Sequence, residues 1–376
     1  MHRISFIVNL SQRVLFLVAA LYVSGTACAT EAVPAAGVKP APHIALLLPL
    51  KSDVFGRAAD AVRQGFLAAA SAQEHALPIR VYECADESSQ IAALYRQAVA
   101  NGARAVAGPL TRNGVAALAA TSRIDVQTLA LNVTDSGRAG KLYFFSLSAE
   151  REARQVAQLA AASGLHNAII IGDSTALSHR LSHAYAEEWK QLGNSVSIEV
   201  MYQNDPAALV DIPAGDGAMV FLAVDAEKAH LMRPYLNAAL PVYATSQLFN
   251  GNADRLTNFD LNDIRFVDMP WLLQPDHPAV MIYPRANPPL PADMERLYAL
   301  GIDAFRLVQI LIDSSFRTAL PLDGVTGNIQ MNGAQQFQRS GIPALFFQGR
   351  GITPEEAEAI RAAMAASAVP AASGVR

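Results

Sequence analysis

Cysteine is nearly missing from this chain: two in 376 residues, Cys28 and Cys84. An internal disulfide framework is therefore excluded, and the fold must be held by its core. Charge is sparse as well, at 16% of residues, with 29 Lys and Arg against 33 Asp and Glu and a formal net charge of -4. Without a basic excess the chain lacks the footprint that phosphate-backbone binding requires, so nucleic acid is excluded as a partner. No G-x-G-x-x-G follows an apolar run and no G-K-[ST] occurs, which removes the phosphate cradles of dinucleotide and P-loop sites. None of the five lysines, at 39, 51, 141, 190 and 228, has a serine three residues before it, so an S-x-x-K nucleophile is absent too. No cofactor or metal is expected.

What the chain has is apolar residue, 52% of the total, at a length sufficient for two cores. Its first part is of another kind. Arg3 and Arg13 precede the run VLFLVAAL, which gives way to small residues and an A-x-A site at Ala27-Cys28-Ala29. Residues 1–29 therefore read as a secretory signal peptide, and the expected product is a soluble periplasmic chain from Thr30. The alternative is an outer-membrane lipoprotein facing the periplasm, with Cys28 as the lipidation site, although Gly25 stands where a leucine is usual. In either case Cys84 has no intramolecular partner. Residues 30–42, TEAVPAAGVKPAP, read as a flexible leader. Beyond the signal no apolar stretch reaches about 18 residues, so no second span is expected.

From His43 short apolar runs alternate with longer amphipathic segments. HIALLL is followed by a helical face at Val54, Ala58, Ala61, Val62, Gly65, Phe66 and Ala69. The pattern repeats through the strands 79–82, 105–107 and 128–131, and a second series contains strands at 168–171, 196–201, 218–224, 242–245 and 264–268. Runs apolar on both faces imply parallel strands covered by helices. The expected fold class is α/β: two doubly wound lobes with a cleft between them. Lobe 1 is assigned to 43–145 and 275–323, and lobe 2 to 146–274 and 324–352. A hairpin is expected from 325–331 and 344–347, added to one lobe. Thr353-Pro354 predicts a final helix, so 353–376 is read as C-terminal helix and tail.

Candidate chemistry is limited. Gly172-Asp173-Ser174 sits between a strand and a helix, the setting of a nucleophile elbow. A working serine needs a base oriented by a carboxylate, and no histidine is placed for that, so Asp173 and Ser174 read as a helix cap or cleft lining. His179 and His183 share a helical face, but no glutamate follows the first, and a metalloprotease site would lack its base. Asp86-Glu87 and Glu187-Glu188 are sequence neighbours that do not face each other, and they read as solvated helix ends. No catalytic residue is assigned. In open α/β sheets ligands bind beyond the carboxyl ends of the strands. That rule gathers Ser52, Thr111, Asn132, Thr134, Asp173, Ser174, Ser246 and Gln247 at one inter-lobe cleft, with Tyr243 as an amphipathic wall and Trp271 near the crossover.

Two lobes behind a signal peptide resemble the type I periplasmic-binding-protein fold, in the style of "HIALLLPLKSDVFGRAADAVRQGFLAAA" and "GARAVAGPLTRNGVAALA". More specifically, "LPVYATSQLFNG", "LNDIRFVDMPWLL", "RLYALGIDAFRL" and "LDGVTGNIQMN" resemble the LppC family, the penicillin-binding protein activators of the LpoA type, over about 43–351. The resemblance implies a non-enzymatic regulator of peptidoglycan synthesis whose partner is a class A penicillin-binding protein. Longer members are outer-membrane lipoproteins with an N-terminal helical-repeat domain, for which 30–42 leaves no room. The competing reading is a periplasmic receptor for a small polar ligand, such as an amino acid or a muropeptide, whose lobes close on it.

Overall fold

The structure is a computed structural model that describes residues 40–368 apart from 122, 135–139, 254 and 314–317. The signal peptide, most of the leader, Cys28 and the end of the tail lie outside the described residues. The chain begins with β1 (His43–Leu48), α1 (Gly56–Ser71), β2 (Ile79–Glu83), α2 (Glu87–Ala100), β3 (Ala103–Ala107), α3 (Arg112–Ala119), β4 (Gln127–Ala130) and β5 (Leu142–Phe145). It then enters a second lobe through α4 (Ala149–Ala162), β6 (Asn167–Gly172), α5 (Ala176–Gln191), β7 (Ser195–Met201), α6 (Ala207–Val210), β8 (Ala218–Ala223), α7 (Ala226–Met232), β9 (Val242–Ala244) and β10 (Arg265–Asp268). The first lobe is rejoined by α8 (Pro270–Leu273), α9 (Pro278–Met281), α10 (Ala292–Ile312), β11 (Leu322–Gly324), β12 (Gly327–Met331) and β13 (Gln336–Ser340). Last come β14 (Ile342–Phe347), β15 (Arg350–Ile352) and α11 (Pro354–Ala368).

The strands form two sheets, ordered β11-β12-β13-β5-β4-β3-β1-β2 and β15-β14-β10-β9-β8-β6-β7. β1 to β5 run parallel, as do β6 to β10, which accounts for strands apolar on both faces. In β1, Ile44, Leu46 and Leu48 enter one core layer while Ala45 and Leu47 enter the other. In β8, Val220 and Leu222 face one layer while Met219 and Phe221 face the opposite one. This two-residue alternation between two buried layers is the doubly wound α/β arrangement read from the sequence.

Residues 324–352, expected in the second lobe, are divided between the sheets. β12 and β13 extend the first sheet, with β13 parallel to β5, while β14 pairs antiparallel with β10 in the second. The expected hairpin of 325–331 with 344–347 therefore does not form. β12 instead turns through Asn332, whose Oδ1 accepts from the N–H groups of Ala334 (2.9 Å) and Gln336 (3.1 Å). β13 reads QFQRS and carries too few apolar residues to announce itself as a strand. Helix α7 ends at Met232 and continues as a short 3₁₀ turn through Arg233, Pro234 and Tyr235, because proline cannot donate to the helical ladder.

Helix α10 is the spine of the first lobe, packed against α1 with Phe305 edge-on to Phe66 at 5.4 Å between ring centroids. The helices approach so closely that a Cβ at Gly301 would lie 2.1 Å from the Val62 carbonyl oxygen. Cys84 is buried, and burial, followed by the charges of Glu87 and Asp86, pushes its thiol up to about 11. It therefore stays protonated and unreactive at neutral pH.

Three passages of chain connect the lobes, after β5, after β10 and between β13 and β14. Buried polar groups bind them together. Glu152 of α4 accepts from Arg339 Nη2 of β13 at 3.2 Å, and Arg339 also donates to the Thr326 carbonyl. Arg296 of α10 donates to both carboxylate oxygens of Asp268, at 3.2 and 2.6 Å, and to the carbonyls of Ser246 and Phe249. The Ser246 N–H donates to Glu152, closing the set. Gln155 exchanges two hydrogen bonds with the backbone of Gly341. Asp268 is wholly buried, and Glu152 and Arg339 are 6% and 8% exposed.

Two stability effects are expected. Gly301→Ala should cost about 3 kcal/mol through overpacking, read as a lower urea midpoint at unchanged m. Arg339→Met should cost about 3–5 kcal/mol by leaving Glu152 buried without its cation, and the double variant Glu152→Gln with Arg339→Met, which keeps an acceptor for the Ser246 N–H, should recover part of that loss. A double variant no more stable than Arg339→Met alone would show that the charge pair is not the source of the effect.

Candidate functional site

The carboxyl ends of β1, β3 and β4 open onto a cavity of about 540 Å³. Ser52, Glu87, Thr111 and Asn132 line it among apolar side chains that include Val54, Phe55 and Leu297. A second space of about 220 Å³ shares Leu110, Arg112, Asn132 and Leu297 with the first and reaches Ser148, Glu150 and Arg180 of the second lobe. Together they form the inter-lobe crevice, most of it cut into the first lobe.

Several polar groups here are already engaged with one another. Glu87, 2% exposed, reaches from the first turn of α2 to the segment after β3. It accepts from Leu110 N–H (2.9 Å), Thr111 N–H (2.7 Å) and the Thr111 hydroxyl (2.6 Å). Burial pushes the Glu87 carboxyl above the usual range, against the opposing effect of these hydrogen bonds. The Thr111 hydroxyl also caps α3 by accepting from Gly114 N–H at 3.1 Å. Ser52 Oγ accepts from Phe55 N–H at 3.2 Å ahead of α1. Asn132 donates to the Leu110 carbonyl at 3.1 Å and accepts from Val133 N–H at 3.0 Å, and Thr134 lies half-buried two residues on.

Across the crevice, Glu150 is paired with Arg112 of the first lobe at 3.3 Å and with Arg180 of α5 at 3.4 Å. Burial opposes its ionisation, but its own backbone N–H, the Ser148 hydroxyl and the two guanidinium groups outweigh that and hold its carboxyl below the ordinary value. Neither Glu87 nor Glu150 was singled out by sequence. The adjacent pair Asp86-Glu87 read as solvated, yet only Asp86 is exposed, as the cap of α2. Burial of Glu87 depends on the spacing between α2 and the end of β3, which no local pattern encodes.

The other expected cleft residues lie elsewhere. Asp173 accepts from Lys228 Nζ at 2.7 Å and from Thr175 N–H at 2.8 Å. Burial raises its carboxyl, but these bonds prevail and hold it low. Ser174 is exposed, and Thr175 rather than Ser174 caps α5 through Ser178 N–H. Tyr243 is buried in the core of the second lobe with its hydroxyl 3.3 Å from Ser163 Oγ, so it is packing and not a cleft wall. Ser246 is 3% exposed at the junction network, and Gln247 beside it is half-buried. Trp271 is fully buried in the first-lobe core, where it donates to Glu295 at 2.5 Å, stacks on Tyr298 and lies 3.8 Å beneath the Arg285 guanidinium. Thus Ser52, Thr111 and Asn132 come together, whereas Tyr243, Ser246 and Trp271 serve the core and the junction. Among the described residues no His, Cys, Asp and Glu cluster could hold a metal ion, and no helix is long and apolar enough to cross a membrane.

Comparison with known proteins places this arrangement. The family described as "LppC putative lipoprotein" matches residues 29–216 and 213–342. The penicillin-binding protein activator LpoA of Photobacterium profundum is 26% identical over 366 residues, covering 86% of this chain and 59% of that protein. LpoA of Haemophilus influenzae is 27% identical, covering 76% of this chain and 50% of its own length. The chain thus spans little more than half of these relatives, which are named as activators. Among solved structures, a "putative branched-chain amino acid ABC transporter" of Chromobacterium violaceum is 38% identical with TM-score 0.71, covering 81% of this chain and 99% of that one. The C-domain of H. influenzae LpoA is 22% identical with TM-score 0.68, covering 82% and 99%, which confirms the two-lobed fold. Because the family match runs through both lobes, from residue 29 to residue 342, the chain belongs to the LppC family.

Proposed function

We propose that this chain acts in the periplasm as a non-enzymatic regulator of peptidoglycan synthesis, activating a class A penicillin-binding protein by direct contact. The observation that carries the proposal is that the buried donors of the crevice wall are taken up within the chain. Glu87 takes up the donors after β3, and Glu150 takes up Arg112 and Arg180. A receptor for an amino acid needs donors and charged anchors left open to the ligand, and closure on that ligand needs lobes free to rotate. Here the passages between the lobes are tied by Glu152–Arg339 and Asp268–Arg296, both largely out of water. A body of this kind is suited to presenting a fixed surface. Such a surface alters a partner only by binding its active arrangement more tightly than its inactive one. The activator names of the relatives support this reading.

A second reading draws on the 38% identical C. violaceum protein and on the size of the first-lobe cavity, and makes the chain a receptor for a small polar ligand. The same fold serves both roles, so the crevice chemistry has to separate them.

The mature chain, residues 30–376, is expected to capture a class A penicillin-binding protein from a membrane extract of its own organism and to raise that enzyme's cross-linking rate in a purified assay. Capture without any change of rate would remove activation, and absence of capture would remove the partner. Amino acids or muropeptides should give no saturable thermal shift. A receptor at a hundredfold excess over its dissociation constant would gain about 2.7 kcal/mol, a shift readily seen. Ser174→Ala should leave stimulation unchanged, and a loss with the fold intact would revive a catalytic reading.

A further inference from the structure

The carboxylate of Glu87 sits where the cavity wall offers three converging donors, none of them from the helix that carries it. Space for it is left by Gly114, where a Cβ would lie 2.6 Å from Glu87 Oε2 and 2.7 Å from Glu87 Cβ. Glu87, Leu110 and Thr111 all line the cavity of about 540 Å³, and beyond the carboxylate its walls are largely apolar, with Val54, Phe55 and Leu297 among them. A carboxylate with an aliphatic body would therefore find donors for one end and apolar room for the other.

We infer that Leu110, Thr111 and Gly114 form a carboxylate-recognition subsite of the first-lobe cavity, kept filled by the chain's own Glu87, which thereby closes the crevice to carboxylate ligands. The inference rests on the reading of the crevice as internally satisfied and names the residue responsible. It makes Glu87 a determinant of specificity and not only a tie between α2 and α3. The two roles predict different behaviour once the side chain is removed. The loss of a tie is not made good by a small molecule, whereas an emptied subsite is refilled by a carboxylate that reaches it through the cavity.

The test is thermal denaturation of the mature chain and of its Glu87→Gly variant, with acetate, 4-methylpentanoate and the two corresponding amides at matched ionic strength. The variant should be less stable than the parent and regain stability saturably with the acids but not with the amides. 4-Methylpentanoate should half-saturate at a concentration at least about tenfold below acetate, since each buried methylene contributes roughly fourfold. The parent should respond to none of the four. Equal responses to acid and amide would overturn the inference, as would rescue by acetate with no gain from the longer acid. A parent that binds the acids as the variant does would overturn it too, and with it the case against a receptor. The first two failures would leave the partner contact intact, because that is read by capture with the parent chain. If Glu87→Gly does not fold in plain buffer, its refolding yield in each acid against its amide is the same comparison, and equal yields would overturn the inference.

Discussion

Asp268 and Arg296 meet in the interior at the place where the chain passes from the second lobe back to the first, and the geometry of the molecule depends on that meeting. A carboxylate with no exposure must be paired and hydrogen-bonded, because uncompensated charge in a protein interior costs several kcal/mol. Burial disfavours the charged form of Arg296, but Asp268 first, and then Glu152, outweigh it and hold the guanidinium above its ordinary value. Apolar packing is non-directional and would tolerate small slides of one lobe on the other. Paired charges do not tolerate them, since each pair joins a residue of one lobe to a residue of the other. Glu152 of α4 with Arg339 of β13 is the second such link, and Ser246 joins the two pairs through its N–H and its carbonyl.

The crevice follows from this constraint. With the lobes held, Arg112 meets Glu150 across the gap, and the donors at Leu110 and Thr111 on the wall of the first-lobe cavity are already occupied. A fold shared with transport receptors thus carries a crevice furnished by its own carboxylates. On the proposed reading, the partner of the donors after β3, and not the architecture, separates this chain from a receptor. The same logic places Ser246: its neighbour residues look like the lip of a cleft in one dimension, yet its backbone is used to close the junction.

Much of the architecture was legible. HIALLL and the run at 168–171 read as buried strands because alternate residues enter separate apolar layers, and the helices between them announced themselves by their period. Thr353-Pro354 marked the start of α11, where Thr353 Oγ1 indeed accepts from Glu356 N–H. Ser52, Thr111 and Asn132 line one cavity, in keeping with the rule that crevices lie beyond strand ends. Tyr243 was misplaced because position along a strand does not tell which face a residue takes when both faces are buried. Strand β13 escaped notice because its residues are mostly polar, and it is held in the first sheet by β12 and β5 rather than by an apolar run of its own.

By itself the sequence determined the local elements and the two-layer burial of each sheet, along with family membership, because these rest on periodicity and on blocks of adjacent residues. Tertiary structure decided which lobe receives 324–340 and which serines and tyrosines are buried. It also decided that Glu87 and Glu150 fill the crevice, and that Glu152 and Asp268 bind the lobes together. Those outcomes depend on pairs such as Glu87 with Thr111 or Glu152 with Arg339, whose members are far apart in the chain. Whether a carboxylate is solvated or buried against donors is settled by the distance between elements, a quantity that no stretch of neighbouring residues contains.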